Sequence, residues 1–459
     1  MRPVVTTACL LAIALPVGAL AQSDLLPHTR SGRDSAAVAG WYDIAGGGRV
    51  LVVWGPTAGY RLLDFDAARF HRLTRRPDST YTVAGTGAWA DAIVAFDRDA
   101  RGVAVAFTLT PPGAPPVRAT ASRTYPFDVE EARYGSGSVE LAGLVLIPRV
   151  RKLVGKSGSP LRDVPMEVPA AVFLHGSGDS DRDNVWAFTI AQHVARAGFV
   201  TLLPDKRGSG ASRGDWRTAG LDDLAGDALS AVEFLRRDPR VDPARIGLVG
   251  LSQGGVIAPL AAARAPDVAY VVSVSGAPVT LFEQMRHEME QDLQRAGVPE
   301  PGIAAITAVG ALAVSYARSE ADSAWSRYDS ALGALRAGPF AAAAAAFPAA
   351  RTDWHWAWWA KVGDVDPLPS WASLTRPRLA LFGEDDERDN VPVRESVRLL
   401  NEALRPERDP RNVVRVYPGI GHALVDTAEG WVSRRVLSDL SDWMLRSVGG
   451  LDRPVPSRQ

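Results

Sequence analysis

The chain has 459 residues, more than one hydrophobic core usually organises, so at least two packed units are expected. Its 51 Lys and Arg stand against 52 Asp and Glu, a formal net charge of -1 at pH 7. That balance excludes a whole-surface field for nucleic acid or anionic lipid, and partners have to be sought at local sites.

Residues 1–21 carry one positive charge, Arg2, then an apolar run from Val4 to Leu20 interrupted by Pro16, and end in Ala19-Leu20-Ala21 before Gln22. This pattern reads as a cleaved secretory signal peptide, too short for a membrane span, with no second span in the mature chain. Its cleavage would leave a secreted or periplasmic protein. The only cysteine, Cys9, lies inside that leader. The mature chain would then have no thiol, which suits a bacterial periplasm and excludes a cysteine nucleophile or a cysteine zinc site. No His and carboxylate cluster has metal-ligand spacing, and no loop has P-loop spacing.

Residues 38–122 hold short apolar runs separated by Gly, Pro and Asp, such as Arg49-Val50-Leu51-Val52-Val53-Trp54 and Ala92-Ile93-Val94-Ala95-Phe96. Their length and β-branched content predict a meander or small antiparallel barrel, an accessory domain assigned to residues 22–125. Residues 126–459 form the second unit. It opens with a strand pair at 139–148 and then alternates: strands at 170–174, 199–203, 246–251, 268–274, 379–382 and 413–417, with helices at 185–196, 221–237 and 255–264. Strands that are nearly all apolar, alternating with helices, predict a parallel sheet covered on both faces. The alternation stops over residues 277–375, where alanine-rich helical segments such as 341–346 and the run Trp354-His355-Trp356-Ala357-Trp358-Trp359 read as a helical cap.

The strongest local signal is Gly250-Leu251-Ser252-Gln253-Gly254-Gly255. A G-x-S-x-G run between a buried strand and a small-residue helix describes a nucleophile elbow, with Ser252 turned outward at the carboxyl edge of the sheet. A serine needs a base within hydrogen-bond reach. Of seven histidines, His422 is the candidate because Pro418-Gly419-Ile420-Gly421-His422 directly follows the last predicted strand, 413–417. His193 falls within a helix, His287 and His355 fall in the cap, and His28 and His71 lie outside the sheet. The supporting acid belongs in Gly383-Glu384-Asp385-Asp386-Glu387-Arg388-Asp389, where Asp386 is the choice and Asp385 and Asp389 stay open. The oxyanion of an acyl-transfer intermediate needs N–H donors; the backbone of Gln253 is one, and Ser177 or Gly176 in the loop His175-Gly176-Ser177-Gly178 the other. Asp205-Lys206-Arg207-Gly208-Ser209-Gly210 lacks phosphate-loop spacing and reads as structural, with Arg207 and Asp205 paired locally. Trp356 and Trp358 are candidates for lining an acyl or aromatic pocket.

Taken together, His175-Gly176-Ser177-Gly178-Asp179 with Asp181-Arg182-Asp183, Asp205-Lys206-Arg207-Gly208, the Ser252 run and Gly421-His422 resemble bacterial α/β-hydrolases of the EstD-like carboxylesterase type. That group is related to the dienelactone-hydrolase and serine-aminopeptidase-like families. The resemblance, over about residues 139–448, agrees with the α/β fold read above, an α/β-hydrolase sheet with a helical cap insertion, which the small antiparallel β domain precedes. It also implies a small-molecule ester with a short or medium acyl chain as substrate, and no metal or organic cofactor. The acidic loop from Gly383 is about two residues longer than the usual pattern, and dienelactone hydrolases carry cysteine where Ser252 stands, so that activity is not implied. A peptidase of the same fold is the enzymatic alternative, with Glu283, Glu288 and Glu290 available to bind an amine. A catalytically silent binding protein would have lost one of the reactive residues, and none is lost.

Overall fold

The computed structural model describes residues 38–449, apart from 39, 56–58, 65–68, 85–87, 101, 123–126, 149–166, 183, 406–408 and 427–430. The leader expected at 1–21 lies outside the described residues. The first unit is a closed eight-stranded antiparallel barrel. Its strands are β1 (Gly40–Ile44), β2 (Arg49–Gly55), β3 (Gly59–Asp64), β4 (Arg69–Arg75), β5 (Tyr81–Ala84), β6 (Ile93–Arg98), β7 (Ala104–Thr110) and β8 (Val117–Ala121). β1 pairs with β8 through Tyr42 opposite Ala121, which closes the ring and leaves no sheet edge to template aggregation. Alternate side chains point inward and fill it: Tyr42, Val50, Val52, Leu62, Val83, Phe107 and Leu109 form its core. The opposite phase of β1 to β3 supplies Trp41, Leu51 and Leu63, which join the core of the second unit.

The second unit is an eight-stranded sheet. It comprises β9 (Phe127–Ser136), β10 (Val139–Pro148), β11 (Val168–Leu174), β12 (Val200–Pro204), β13 (Val241–Leu251), β14 (Val271–Val274), β15 (Arg378–Gly383) and β16 (Val413–Tyr417), in the order β16-β15-β14-β13-β11-β12-β10-β9. The six strands from β11 onward are parallel to their neighbours among themselves, as the alternating pattern predicts. β10, however, runs antiparallel to both β9 and β12, so the sheet is mixed rather than wholly parallel. The cause is local: two residues join β9 to β10, one of them Gly137 with φ of 57°, and so tight a turn can only make a hairpin.

Helices α1 (Val185–Arg196), α2 (Leu221–Arg236) and α3 (Gln253–Ala263) link these strands. Between β14 and β15 the described chain is helical: α4 (Leu281–Arg295), α5 (Glu300–Ser319), α6 (Asp322–Ala337), α7 (Trp354–Val362) and α8 (Leu368–Ser373). The alanine run Ala341–Ala346 forms a 3-10 helix in this insertion. α5 is long and apolar enough to cross a membrane, but it packs on α4, α6 and α7 and buries Ile303, Ile306, Val309 and Tyr316, as a core helix does. α9 (Val393–Leu404), the short hairpin β17 (Val425–Asp426) and β18 (Trp431–Val432), and α10 (Arg434–Ser447) complete the unit. Trp356 packs edge-on against Tyr316, Tyr328 and Trp359 and gives its indole N–H to the Ala350 carbonyl at 2.8 Å. It therefore belongs to the aromatic core of the insertion. Trp358 is likewise buried, beside Trp216 and Trp354. An apolar cavity of about 310 Å³ does lie within the insertion, and it is Trp359, with Phe282, Met285, Met289 and Phe347, that lines it.

Candidate active site

Ser252 stands between β13 and α3 with φ of 52° and ψ of -120°, backbone that a serine adopts only under constraint. The constraint is packing that only glycine satisfies. A Cβ on Gly250 would lie 2.0 Å from the Gly254 oxygen, one on Gly254 2.1 Å from the Leu174 oxygen, and one on Gly255 2.3 Å from Ser273 Oγ. The close approach draws the start of α3 against the ends of β11 and β14, and the turn throws Ser252 to the carboxyl edge of the sheet. Its amide donates to the Val274 carbonyl at 2.8 Å, and Gly255 N–H donates to its own carbonyl at 2.7 Å.

The loops after β15 and β16 meet beside it, again through a glycine. A Cβ on Gly383 would lie 2.1 Å from the Ile420 oxygen, and Asp385 N–H donates to that same oxygen at 3.0 Å. This contact carries His422 over the acidic loop, where its Nδ1 lies 2.7 Å from Asp386 Oδ2. Asp386 is fully buried, and its other oxygen accepts from Asn390 N–H at 3.2 Å. Ser275 Oγ fixes the backbone of His422 by donating to its carbonyl at 2.7 Å, and the Trp186 ring covers the imidazole at 5.9 Å. His422 Nε2 is buried and takes no hydrogen bond from Ser252 or any other described residue. Unliganded sites are often loose in this way and tighten around substrate. Burial of the ring resists its charge, but Asp386, helped by Asp389 and Glu288, outweighs burial and raises the His422 pKa.

Among the acids left open by the sequence, Asp386 alone holds His422. Asp389 pairs with Arg295 at 2.6 Å, and Asp385 is half-buried and joined to the histidine loop through its backbone. Of the other histidines of the second unit, His355 pairs with Asp353 and His193 with Ser441 Oγ, while His287 lies on α4 with its Nε2 buried and without a hydrogen-bond partner among the described residues. His175 gives or takes a hydrogen bond at the Pro204 carbonyl, 2.6 Å away, and so orders the loop after β11. Gly176 in that loop lies against the serine, since a Cβ there would be 3.3 Å from Ser252 Cβ and 3.8 Å from its Oγ. No acceptor among the described residues takes the N–H of Gly176, Ser177 or Gln253, the three candidate oxyanion donors.

Arg207 and Asp205 do not pair with each other. Arg207 forms a two-pronged bridge to Asp227 on α2, and Asp205 is claimed by Arg182 and by the amides of Arg182 and Ala211. Each charge meets a partner brought in by another element, Asp227 from α2 for Arg207 and Arg182 from the loop before α1 for Asp205, and those partners replace the local pairing. Two further charged groups are buried near the site: Lys206, which the sequence places in a structural loop, and Glu288, which it offers only as one of three candidates to bind an amine. Lys206 is buried against the loop after β11. Glu288 on α4 is buried beside Asn390, close enough to His422 for the charges to interact. Burial first, then Asp292 and Asp389, push its pKa up to about 8 against the opposing pull of His422 and Asn390. Glu283 instead caps α4 with Thr280, and Glu290 pairs with Arg286.

The serine turn, the imidazole and its acid thus occupy loops at the carboxyl ends of β13, β16 and β15, an arrangement that defines the α/β-hydrolase class of fold. The sequence pattern of the alpha/beta hydrolase family matches residues 171–434, more than half of the chain, and the protein belongs to that family. Similar solved structures include an esterase from Pyrococcus furiosus, at 16% identity and a TM-score of 0.44, covering 72% of this chain and 97% of that one. A dienelactone hydrolase from Anabaena variabilis matches at 17% identity and a TM-score of 0.38, over 70% of this chain and 99% of the other. Est1E from Butyrivibrio proteoclasticus, with ferulic acid bound, matches at 16% identity and 0.42, over 69% and 99%.

Proposed function

We propose that the protein is a serine carboxylesterase acting through an acyl-enzyme on Ser252. The observation that carries this reading is the buried His422–Asp386 pair at 2.7 Å beside a serine held in strained backbone at a helix N-terminus. In the reaction His422 Nε2 takes the Ser252 proton as Oγ bonds to the ester carbon. The C=O electrons move onto the oxygen, which meets the N–H groups of Gln253 and of Ser177 or Gly176. Collapse expels the alcohol, protonated by His422, and a water activated by the same ring then releases the acid. The EstD-like resemblance supports short to medium acyl esters and a bacterial source, and the basic, apolar and small-residue pattern of residues 1–21 supports an exported enzyme made with that leader. The helices of residues 281–373 act as a cap, a role supported by α4, whose Gln284 donates to Asn390 beside Asp386 at 2.7 Å. The domain division at residue 125 is part of the same reading. p-Nitrophenyl esters of graded chain length test it: the wild type turns over the shorter members and Ser252→Ala none of them. Wild-type rates in the Ser252→Ala variant would overturn it.

A second reading, cleavage of peptides from the amino end, is favoured by one observation: among Glu283, Glu288 and Glu290, Glu288 is the one buried near His422. Matched peptide amides and esters decide between them.

A further inference from the structure

Lys206 follows β12 with its side chain 8% exposed, and its ammonium ends among neutral acceptors. Nζ donates to the carbonyls of Gly176 at 2.8 Å and Gly178 at 3.2 Å, and to Gln253 Oε1 at 2.9 Å. An ammonium has three protons, and three acceptors account for them all. Beyond these three bonds the cation has only the Trp216 ring, 5.7 Å from Nζ, and no partner charge in contact balances it. No described carboxylate lies within salt-bridge distance of it, neighbouring Asp205 is committed to Arg182, and Asp179 attracts it only through space. Burial accordingly lowers its pKa to about 7. A cation kept at such cost, where a packed apolar residue would be easier to bury, points to an electrostatic task.

The task follows from which atoms it holds. We propose that Lys206 is the positioning residue of the oxyanion hole, fixing and polarising the Ser177 N–H through the Gly176 carbonyl while pinning Gln253, whose own N–H is the second donor. This rests on the ester-hydrolase reading above. The Gly176 carbonyl and the Ser177 N–H belong to one planar trans peptide and point in opposite directions, so a charge on the oxygen aims the N–H away from Lys206. The charge-assisted bond also draws electron density toward the carbonyl oxygen and makes that N–H a stronger donor. Gly176 packs against Ser252, and Gln253 is the first residue of α3. One ammonium therefore ties together the two segments whose separation sets the size of the hole.

The test compares Lys206→Met, Lys206→Arg and Gln253→Met, which keeps its backbone donor, with the wild type and Ser252→Ala. Losing one oxyanion donor costs on the order of 10²–10³ in kcat, so misaiming one should cost roughly 10–100-fold. Lys206→Met is expected to lose that much kcat with KM within about threefold, and to bind a trifluoromethyl ketone, which adds Ser252 as an oxyanion, more weakly by the same factor. Its binding of the corresponding alcohol and its melting temperature should stay near wild type, and Lys206→Arg should recover most of kcat. Gln253→Met should lose roughly 3–10-fold in kcat at constant KM, which decides the matter if Lys206→Met does not fold. Unchanged kcat or unchanged ketone affinity in the folded variants would overturn the proposal. If Ser252→Ala is inactive while Lys206→Met runs at full rate, only the role of Lys206 falls; if Ser252→Ala is active, the ester-hydrolase reading falls first.

Discussion

Replacing Asp386 by Asn probes the least exposed member of the site and has a direction dictated by its hydrogen bonds. In the wild type Oδ1 accepts from Asn390 N–H and Oδ2 faces His422 Nδ1. An asparagine must leave its amide oxygen on the Asn390 N–H, because an NH₂ group there would meet a donor. The NH₂ group then faces Nδ1 and forces the ring proton onto Nε2, the atom that has to receive the Ser252 proton. The wrong tautomer costs about 10⁴ in kcat, or ~5.5 kcal/mol of transition-state stabilisation. The pH profile should move as well. A base works when neutral, so kcat/KM climbs with pH through the His422 pKa, which the wild type holds above the ordinary histidine value. Without the Asp386 charge, burial dominates and the climb shifts to lower pH. Initial rates on a p-nitrophenyl ester between pH 5 and 9 measure both effects, with Asp385→Asn and Asp389→Asn expected within about threefold of wild type at neutral pH as controls. An Asp386→Asn enzyme that keeps more than a tenth of kcat, or an unshifted profile, would refute the assignment.

Gly250→Ala and Gly226→Ala should separate packed from free glycines. The first drives a Cβ to 2.0 Å from the Gly254 oxygen and should cost about 3 kcal/mol or more, whereas Gly226 in α2 has nothing within 4 Å and its Ala variant should gain ~0.5–1 kcal/mol. Opposite shifts in urea midpoint would verify this, and equal shifts would contradict it. Arg182→Ala strands the fully buried Asp205 and should cost about 3–5 kcal/mol at neutral pH. Burial alone would raise the Asp205 pKa; Arg182 and the backbone amides more than offset it and leave it lowered. Stability from the carboxylate is thus complete above its unfolded pKa near 4 and fades as pH falls through the lower folded value, so the gap between wild type and Arg182→Ala should narrow in acid. Glu288 has the reverse sign. With its folded pKa pushed up to about 8, the native state loses stability as pH rises from about 4.5, where the unfolded chain ionises, to about 8. Glu288→Gln should melt with wild type near pH 4.5 and above it at pH 8; a melting difference that does not vary with pH would count against this.

Where local pattern and local chemistry coincide, the sequence was sufficient. The elbow around Ser252 could be read because its glycines are required by contacts within a few residues and against adjacent strand ends. The barrel strands β2, β3 and β6 follow runs whose alternate residues fill it. His422 could be found because it follows the last strand of the sheet by five residues. The choice among Asp385, Asp386 and Asp389 needed three dimensions, since only the contact of Gly383 with the Ile420 backbone shows which carboxylate lies under the imidazole. Trp356 shows where pattern stops: a tryptophan cluster at helical spacing reads equally as pocket or core, and only the structure shows it packed on Tyr316 and Tyr328. Pairings such as Arg207 with Asp227 and Arg182 with Asp205 span some twenty residues, and no local pattern encodes which charge meets which. The burial of Lys206, and which of Glu283, Glu288 and Glu290 is the buried one, were hidden for the same reason, because burial of a charged residue is a property of the packed elements around it.

The most direct test of the central claim is the site of covalent capture. Folded protein treated with a fluorophosphonate, digested and analysed by tandem mass spectrometry should carry a single adduct on Ser252. Labelling should fall by more than a hundredfold in His422→Ala, because removal of the base leaves only the weak nucleophile. An adduct on any other residue, or equal labelling without His422, would contradict the account.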